Sequence, residues 1–273
     1  VGLVPLESMI AAGKYYLNKQ KRSIGIPTKD IIHIAVKSMG LDDLSPFNPQ
    51  EKIIEYRIGE RFGALASMKL HEFSDELSSE SAAPGGGSVS AVAGLLGASL
   101  SSMVANLTFG KKKWLTLFDQ MSQISQKSQQ LKDELIQLID ADTNAFKLVM
   151  EAYNMPNKTK NQIIDRTIAI DYAMKNATNI PFKTLKCCRE IMDLALEAAQ
   201  YGNPNSISDA GVSGEMANAG AHGAALNVFI NLKEIDDVKF CTEMKLKTHF
   251  ILDETNTLLL EIRKMISKVL NNG

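Results

Sequence analysis

Residues 81–107 read SAAPGGGSVSAVAGLLGASLSSMVANL, and this stretch decides the fold class. A proline followed by three glycines predicts a loop over residues 81–88. From Val89 to Leu107 nearly every residue is Ala, Val, Leu, Gly or Ser, which predicts a helix whose small side chains let neighbouring helices approach closely. The stretch is apolar enough to resemble a membrane span, but its serines and glycines favour a tightly packed helix inside a water-soluble protein.

Helical periodicity continues on both sides of this stretch. It predicts helices over residues 70–77, 114–151, 161–176, 184–200, 208–232 and 236–268. The segment 208–232 is again rich in glycine and alanine, so we expect a second closely packed helix there. We therefore predict an all-α, up-and-down multi-helix domain over residues 68–273.

The first 57 residues have a different pattern. Val1–Val4 is a short apolar run that Pro5 ends, which is typical of the end of a strand, and Leu6–Lys19 has helical spacing. Asn48 and Pro49 together favour another helix start. Residues 58–67 lack periodicity and contain two glycines, which indicates a linker. We expect a small α/β remnant over residues 1–57, a linker over 58–67 and the helical domain over 68–273.

The composition argues against several classes of function. The chain has 30 basic and 31 acidic residues, a balance that does not favour a nucleic-acid binder. Three cysteines form no even framework, which indicates reduced thiols and a cytoplasmic protein. We identify no signal peptide and no uninterrupted membrane span. The four histidines are scattered and match no zinc-binding spacing, so we expect no metal site.

Asp142 is the first candidate for chemistry. At about 100° per residue it projects to the centre of the apolar stripe of the predicted helix 114–151, whereas Asp140 projects to the solvent face. A carboxylate facing a core must be paired, protonated or at the wall of a cavity. Burial raises its pKa toward neutrality, which suits a general acid or base. The alternative is a structural carboxylate that caps another helix or pairs with a lysine.

Gly85, Gly86, Gly87 and Ser88 form a second candidate, for binding rather than catalysis. Consecutive glycines allow backbone N–H groups to converge at the start of a helix, where a carboxylate or phosphate binds favourably. The spacing matches neither a dinucleotide-binding fingerprint nor a Walker loop. A tight inter-helix turn is the alternative interpretation.

Two further groups of residues are candidates for substrate contacts. Lys111, Lys112 and Lys113 follow the first small-residue helix, where they either attract a polyanionic substrate tail or complement the C-terminal end of the helix dipole. Asp209 lies at the start of the helix 208–232, where the alternative interpretation is that Ser208 or Asp209 is the N-cap. Asn227 projects onto the glycine-rich face of the same helix, where either the backbone of another helix or a flat ligand can approach closely.

Four motifs occur in an order that resembles one family. They resemble the cyclodeaminase domain of formiminotransferase-cyclodeaminase and the related methenyltetrahydrofolate cyclohydrolases: Ala83-Pro-Gly-Gly-Gly-Ser88, Asp140-Ala-Asp142-x-x-Ala145-Phe146, Gly202-Asn203 with Ser208-Asp209, and Asn227-Val-Phe-Ile-Asn231-Leu232. Four further segments are similar to the end of the formiminotransferase domain: Val1-Gly-Leu-Val-Pro5, Gly40-Leu-Asp, Pro46-Phe-Asn-Pro49 and Ile53-Ile-Glu-Tyr56.

The resemblance implies a folate enzyme of histidine degradation. Such an enzyme converts 5-formiminotetrahydrofolate to 5,10-methenyltetrahydrofolate and releases ammonia, and the family's catalytic aspartate matches Asp142. The resemblance also implies a tetrahydrofolate derivative as substrate, in polyglutamylated form, and no tightly bound cofactor. The implied partners are a formiminotransferase domain and further copies of the chain, in a homodimer or larger homo-oligomer. Most of the transferase domain is absent, so we expect no formimino transfer from this chain.

Chemistry and position suggest roles for the remaining candidates. We predict that the glycine turn and the three lysines bind the glutamate carboxylates of folate, and that Asp209 and Asn227 contact the pterin or the formimino group. Two alternative functions stay open. One is a cyclohydrolase that adds water to the methenyl compound through the same aspartate, and the other is a non-catalytic helical assembly module.

Overall fold

The computed structural model describes residues 2–59, 63–109 and 116–271, and these residues fold into α-helices. The helices are α1 (Leu6–Lys19), α2 (Thr28–Ser38), α3 (Pro49–Lys52), α4 (Ile54–Ile58), α5 (Leu70–Leu77), α6 (Gly86–Thr108), α7 (Phe118–Tyr153), α8 (Lys160–Tyr201), α9 (Ile207–Asn231) and α10 (Val238–Asn271). Short 3₁₀ helices, Pro204–Ser206 and Leu232–Glu234, flank α9. The predicted all-α fold class is confirmed.

The long helices form an up-and-down bundle. Helix α6 packs on α7, α7 on α8, α8 on α9 and α9 back on α6, while α10 lies outside against α8 and α9. The central core contains fully buried side chains from α7 and α8, among them Leu131, Leu135 and Ile191. This closed arrangement brings the start of α6 next to the C-terminal parts of α7 and α9.

The two small-residue helices, α6 and α9, lie in close contact. A Cβ atom added at Gly97 would lie 2.9 Å from the carbonyl oxygen of Ser213, and one at Gly220 would lie 2.8 Å from that of Ser90. The hydroxyls of Ser101 and Ser213 are hydrogen-bonded at 2.7 Å. By length and composition α6 could cross a membrane, but 56% of its apolar window is buried inside the protein. The small side chains therefore serve close helix packing, as the sequence predicts.

Helix α8 corrects the prediction of two separate helices over residues 161–176 and 184–200. It runs unbroken for 42 residues with Pro181 in its interior. Proline lacks the N–H that would bond the carbonyl four residues earlier, and this usually breaks a helix. Here the carbonyl of Ala177 instead accepts a 2.8 Å hydrogen bond from the Asn231 side chain of α9. A tertiary contact thus replaces the missing helical bond.

The N-terminal segment is more helical than the predicted α/β remnant. Its described residues form α1 to α4 around a small core that includes Met9, Ile32 and Ile53. The β-structure in it is one isolated parallel bridge between Val4 and Ile53. Val4 exchanges two backbone hydrogen bonds with Lys52 and Ile54, and no strand forms over the described part of residues 1–57.

A loop of the N-terminal segment is hydrogen-bonded to the bundle. The carbonyl of Gly25 accepts bonds from the side chains of Asn106 at 2.8 Å and Ser102 at 3.2 Å, both on α6. The Ser23 hydroxyl is 3.1 Å from that of Ser125 on α7. These contacts are to the sides of α6 and α7, away from the ends that form the cavity described below.

Candidate active site

A cavity of about 370 Å³ lies at the end of the bundle where α6 begins. This volume is near the lower limit of small-molecule binding sites. The wall is formed by the turn before α6, by α7, α8 and α9, and by the 3₁₀ helix that follows α9. The lining residues are Ala82, Ala83, Gly85, Gly86, Asp142, Thr143, Phe146, Val149, Met150, Tyr153, Met174, Ala177, Asn227, Asn231 and Glu234.

Asp142 lies in the wall of this cavity, beside the first turn of α6. The Ser88 hydroxyl is 3.5 Å from Asp142 Oδ2 and donates a shorter bond, 2.8 Å, to the carbonyl of Ile139. Burial raises the pKa of the Asp142 carboxyl above its ordinary value, while the backbone N–H and the hydroxyl of Ser88 act in the opposite direction. A raised pKa allows one carboxyl both to accept and to return a proton near neutral pH.

The structure also addresses the two structural roles considered for Asp142. Among the described residues, no lysine, arginine or histidine lines the cavity, so Asp142 has no cationic partner there. Its carboxyl lies beside the first turn of α6, 3.5 Å from the Ser88 hydroxyl, so the capping role of the other alternative stays compatible with the structure. Capping does not exclude a catalytic role, because the carboxylate still faces the cavity.

The predicted loop over residues 81–88 is shorter in the structure. Helix α6 begins at Gly86, so that Gly86, Gly87 and Ser88 form its first turn. Glycine and serine are readily accommodated at a helix N-terminus, where the backbone N–H groups have no helical partner. A Cβ atom on Gly87 would overlap the Asp142 carboxylate. The Asp142 carboxyl therefore occupies the space beside Gly87 at this helix N-terminus, and the binding of glutamate carboxylates by the turn stays a prediction.

The other predicted binding residues fall in different places. Asn227 lines the cavity, and a Cβ atom on Gly86 would lie 3.3 Å from its Nδ2 atom. Asp209 is in the first turn of α9, about 27 Å from Asn227 along the helix axis, so these two residues do not contact one pterin within a single chain. Lys111, Lys112 and Lys113 lie outside the described residues.

Several residues of the cavity are not among the sequence candidates. Phe146, Met150 and Tyr153 follow Asp142 on the same face of α7, and Asn231 and Glu234 follow Asn227 at helical spacing. Projection of each helix from its first candidate residue would have found them.

In the described part of the chain no group of three or more His, Cys, Asp or Glu side chains could hold a metal ion.

Asp140 is not the solvent-facing residue that helical projection predicts. Its two carboxylate oxygens accept hydrogen bonds from the backbone N–H groups of Leu65 and Ala66, at 2.9 and 3.0 Å. Leu65 is only 9% exposed and joins the core of the bundle. The end of the predicted linker thus covers this face of α7, and the two aspartates face different parts of the protein.

The chain is similar to proteins of folate metabolism. A family model described as Formiminotransferase-cyclodeaminase matches residues 69–249, and one described as Formiminotransferase domain matches residues 1–59. The formimidoyltransferase-cyclodeaminase of Gallus gallus is 37% identical over 256 residues, which are 93% of this chain and 47% of that protein. The chain thus spans about half the length of the curated formimidoyltransferase-cyclodeaminases that it matches.

Two shorter proteins are covered almost completely. The methenyltetrahydrofolate cyclohydrolase of Methylorubrum extorquens is 40% identical over 202 residues, which are 74% of this chain and 97% of that protein. The crystal structure of a formiminotetrahydrofolate cyclodeaminase from Thermotoga maritima matches with a TM-score of 0.68 and 26% identity, over 75% of this chain and 98% of that one. Both correspond in length to the helical bundle.

Proposed function

Because this chain belongs to the formiminotransferase-cyclodeaminase family, we propose that it converts 5-formiminotetrahydrofolate to 5,10-methenyltetrahydrofolate and ammonia. The observation that carries the proposal is Asp142, a carboxyl of raised pKa in the wall of a cavity that has no cationic lining residue among those described. The formimino group is an amidine and carries a positive charge when protonated. A cavity whose described lining residues include carboxylates and no cationic side chain favours such a group.

The reaction needs one proton to move between two nitrogens of the substrate. Folate N10 attacks the formimino carbon to form a new C–N bond, and N10 loses its proton. The bond from this carbon to the terminal nitrogen then breaks, and that nitrogen leaves as ammonia after gaining one proton. The substrate enters as the protonated amidine, and its positive charge ends on the five-membered methenyl ring, so this conversion to the methenyl cation and ammonia consumes and releases no further proton. We assign to Asp142 the acceptance of the N10 proton and its return to the leaving nitrogen.

Proximity contributes the rest of the proposed mechanism. Both reacting groups belong to one folate molecule, so the attack is intramolecular, and binding in the cavity restricts the substrate to conformations near the reacting geometry. The apolar part of the wall, Phe146, Met150 and Tyr153, suits the faces of a flat ring system.

The experiment measures ammonia release from 5-formiminotetrahydrofolate for the wild type and two matched variants. We expect Asp142→Asn to lower kcat by about 10²- to 10⁴-fold, because loss of a general acid–base group has effects of this size. Binding of the stable analogue 5-formyltetrahydrofolate should be nearly unchanged. Asp140→Asn is the control, since this carboxylate binds the backbone at residues 65 and 66 instead of facing the cavity. Full activity of Asp142→Asn would refute the assignment.

A cyclohydrolase is the second candidate function, because the Methylorubrum relative has the highest identity among the proteins compared above. The match of residues 1–59 to a formiminotransferase domain favours the deaminase, since transfer of a formimino group produces its substrate. Hydrolysis of 5,10-methenyltetrahydrofolate that is faster than ammonia release from the formimino compound would reverse this order. The absence of both reactions and of folate binding would favour a non-catalytic assembly module.

We propose further that residues 1–57, 58–67 and 68–273 are a transferase remnant, a linker and the deaminase domain. The matched ranges 1–59 and 69–249 support this division. Exposed apolar residues on neighbouring helices, among them Leu96 on α6 and Leu226 on α9, support a homo-oligomer. The three cysteines are buried and free, which supports a reducing compartment such as the cytoplasm.

A further inference from the structure

One edge of the cavity presents a row of hydrogen-bond acceptors. Asn227, Asn231 and Glu234 lie at spacings of four and three residues on one face of α9 and the 3₁₀ helix that follows it, and all three line the cavity. The Nδ2 atom of Asn227 donates to the carbonyl of Gly223 at 2.9 Å. The Nδ2 atom of Asn231 donates to the carbonyl of Ala177 at 2.8 Å. The side-chain oxygens of both residues are therefore left to accept bonds from a ligand.

The orientation of Asn231 follows from the proline inside α8. Pro181 has no N–H, so the carbonyl of Ala177 lacks its helical donor and binds the Asn231 amide instead. The opposite orientation of this amide would place two oxygens against each other. The backbone of α8 thus determines that Asn231 offers an acceptor to the cavity.

Glu234 extends this row by two more acceptor oxygens. No described residue forms an ion pair or a hydrogen bond with its exposed carboxylate, although the residue lines the cavity. Glu234 lies about 10 Å along the helix axis from Asn227. Asn227 is next to Gly86, and Gly86 precedes the residue that contacts Asp142. The row therefore runs from the proposed reaction end of the cavity to its far end.

The wall contributed by α7 has the opposite character. Phe146, Met150 and Tyr153 form an apolar and partly aromatic surface. A slot with one apolar wall and one acceptor edge fits a flat ligand that has a row of N–H donors along one edge. A ligand carboxylate would meet the charge of Glu234 there with no described lysine, arginine or histidine among the lining residues to offset it.

We propose that Glu234 is a specificity-determining residue that binds the pyrimidine end of the reduced pterin, with Asn231 and Asn227 accepting from the second hydrogen of the 2-amino group and from N8–H. In the pterin the ring N3–H and the 2-amino group lie side by side, and together they match the two oxygens of one carboxylate. This orientation directs the formimino side toward Asp142 and leaves the glutamate tail outside the cavity. The inference rests on the proposed function, because it takes the same folate as ligand.

The test is a calorimetric titration of the full chain with 5-formyltetrahydrofolate, which measures Kd. Glu234→Gln should weaken binding about 10- to 100-fold, since one oxygen that accepts a hydrogen bond becomes a donor and the charge is lost. Asp236→Asn is the matched control, an exposed acid two residues further on that does not line the cavity. It should bind as the wild type does. In turnover, Glu234→Gln should raise KM by a larger factor than it lowers kcat.

A second ligand identifies the group that Glu234 binds. An analogue of 5-formyltetrahydrofolate with a methyl group in place of the 2-amino group keeps N3–H as its one donor to Glu234. It should bind the wild type more weakly than the parent compound does, and Glu234→Gln should lower its affinity by a clearly smaller factor. A Glu234→Gln variant that binds the natural analogue as tightly as the wild type overturns this inference alone. An equal loss of affinity for both ligands on the Glu234→Gln substitution also overturns this inference alone. A wild-type protein that binds no folate overturns the proposed function and this inference with it.

Discussion

Replacement of Gly87 by alanine places a methyl group where the Asp142 carboxylate lies, and we expect it to reduce activity far more than stability. A Cβ atom at this position overlaps the carboxylate, whereas one at Gly85 has nothing within 4 Å. The backbone at Gly85 is extended, with φ −127°, a conformation that alanine adopts readily. Gly87→Ala and Gly85→Ala should therefore have very different effects on catalysis.

The magnitudes follow from the way in which the overlap is relieved. Either Asp142 leaves its rotamer or the first turn of α6 shifts, and both changes disturb the contacts between Asp142 and Ser88. Overpacking of this kind costs about 1–3 kcal/mol, and the better helix propensity of alanine offsets up to about 1 kcal/mol. At Gly85, the N-cap, alanine should cost about 1 kcal/mol or less. A displacement of the catalytic group by about 1 Å can lower the rate about 100-fold.

The assay compares kcat for ammonia release with the melting temperature of each variant. Gly87→Ala should lose about 100-fold in kcat and only a few degrees in Tm, whereas Gly85→Ala should keep kcat within about twofold with a similar or smaller change in Tm. Undiminished activity of Gly87→Ala would refute the assigned role of the α6 turn. An equal loss of activity in Gly85→Ala would show that the effect is not specific to the carboxylate contact.

Three further predictions concern stability and substrate affinity. Because burial raises the pKa of the Asp142 carboxyl in the folded protein, this group favours folding at low pH, and its contribution is lost as the pH rises through the folded pKa. Asp142→Asn should therefore raise Tm at neutral pH and leave it unchanged below about pH 4, and a lower Tm at neutral pH would contradict this. Asp140→Ala leaves two linker N–H groups without acceptors and should cost about 1–3 kcal/mol in chemical denaturation; unchanged stability would contradict the linker contact. Pro181→Ala restores an N–H inside α8 that competes with the Asn231 amide. We expect a gain in stability of up to about 3 kcal/mol and a KM that is several times higher, and an unchanged KM would argue against the role of Asn231.

Helical periodicity predicts the elements whose boundaries are set locally. The bounds Leu6–Lys19 and Leu70–Leu77 agree with the observed α1 and α5, because an apolar stripe and the flanking turn residues lie within each segment. The same reasoning places Asp142 on the inner side of α7, and the structure puts it in the cavity wall. Close packing of the glycine-rich helices is likewise visible in the composition of each helix.

Helical projection fails where one segment depends on a distant one. Projection places Asp140 on the solvent face because it considers only residues of the same helix. In the structure the linker covers Asp140 through Leu65, which is 75 residues away in the chain. The interruption predicted around Pro181 is absent because Asn231, 54 residues beyond Ala177, supplies the missing donor. Neither partner can be identified from the spacing within one helix.

The sequence by itself determined the helical class of this protein, the small-residue packing of α6 and α9, and the choice of Asp142 over Asp140 as the candidate catalytic residue. These properties depend on side-chain periodicity and composition, which are local. Only the tertiary structure decided that the glycine turn lies against Asp142, that Asp209 lies far from Asn227, and that the Asn227 face of α9 shares a cavity with Asp142. The physical reason is that a site formed between helices depends on how the helices pack. Packing brings together residues whose separation along the chain carries no periodic signal.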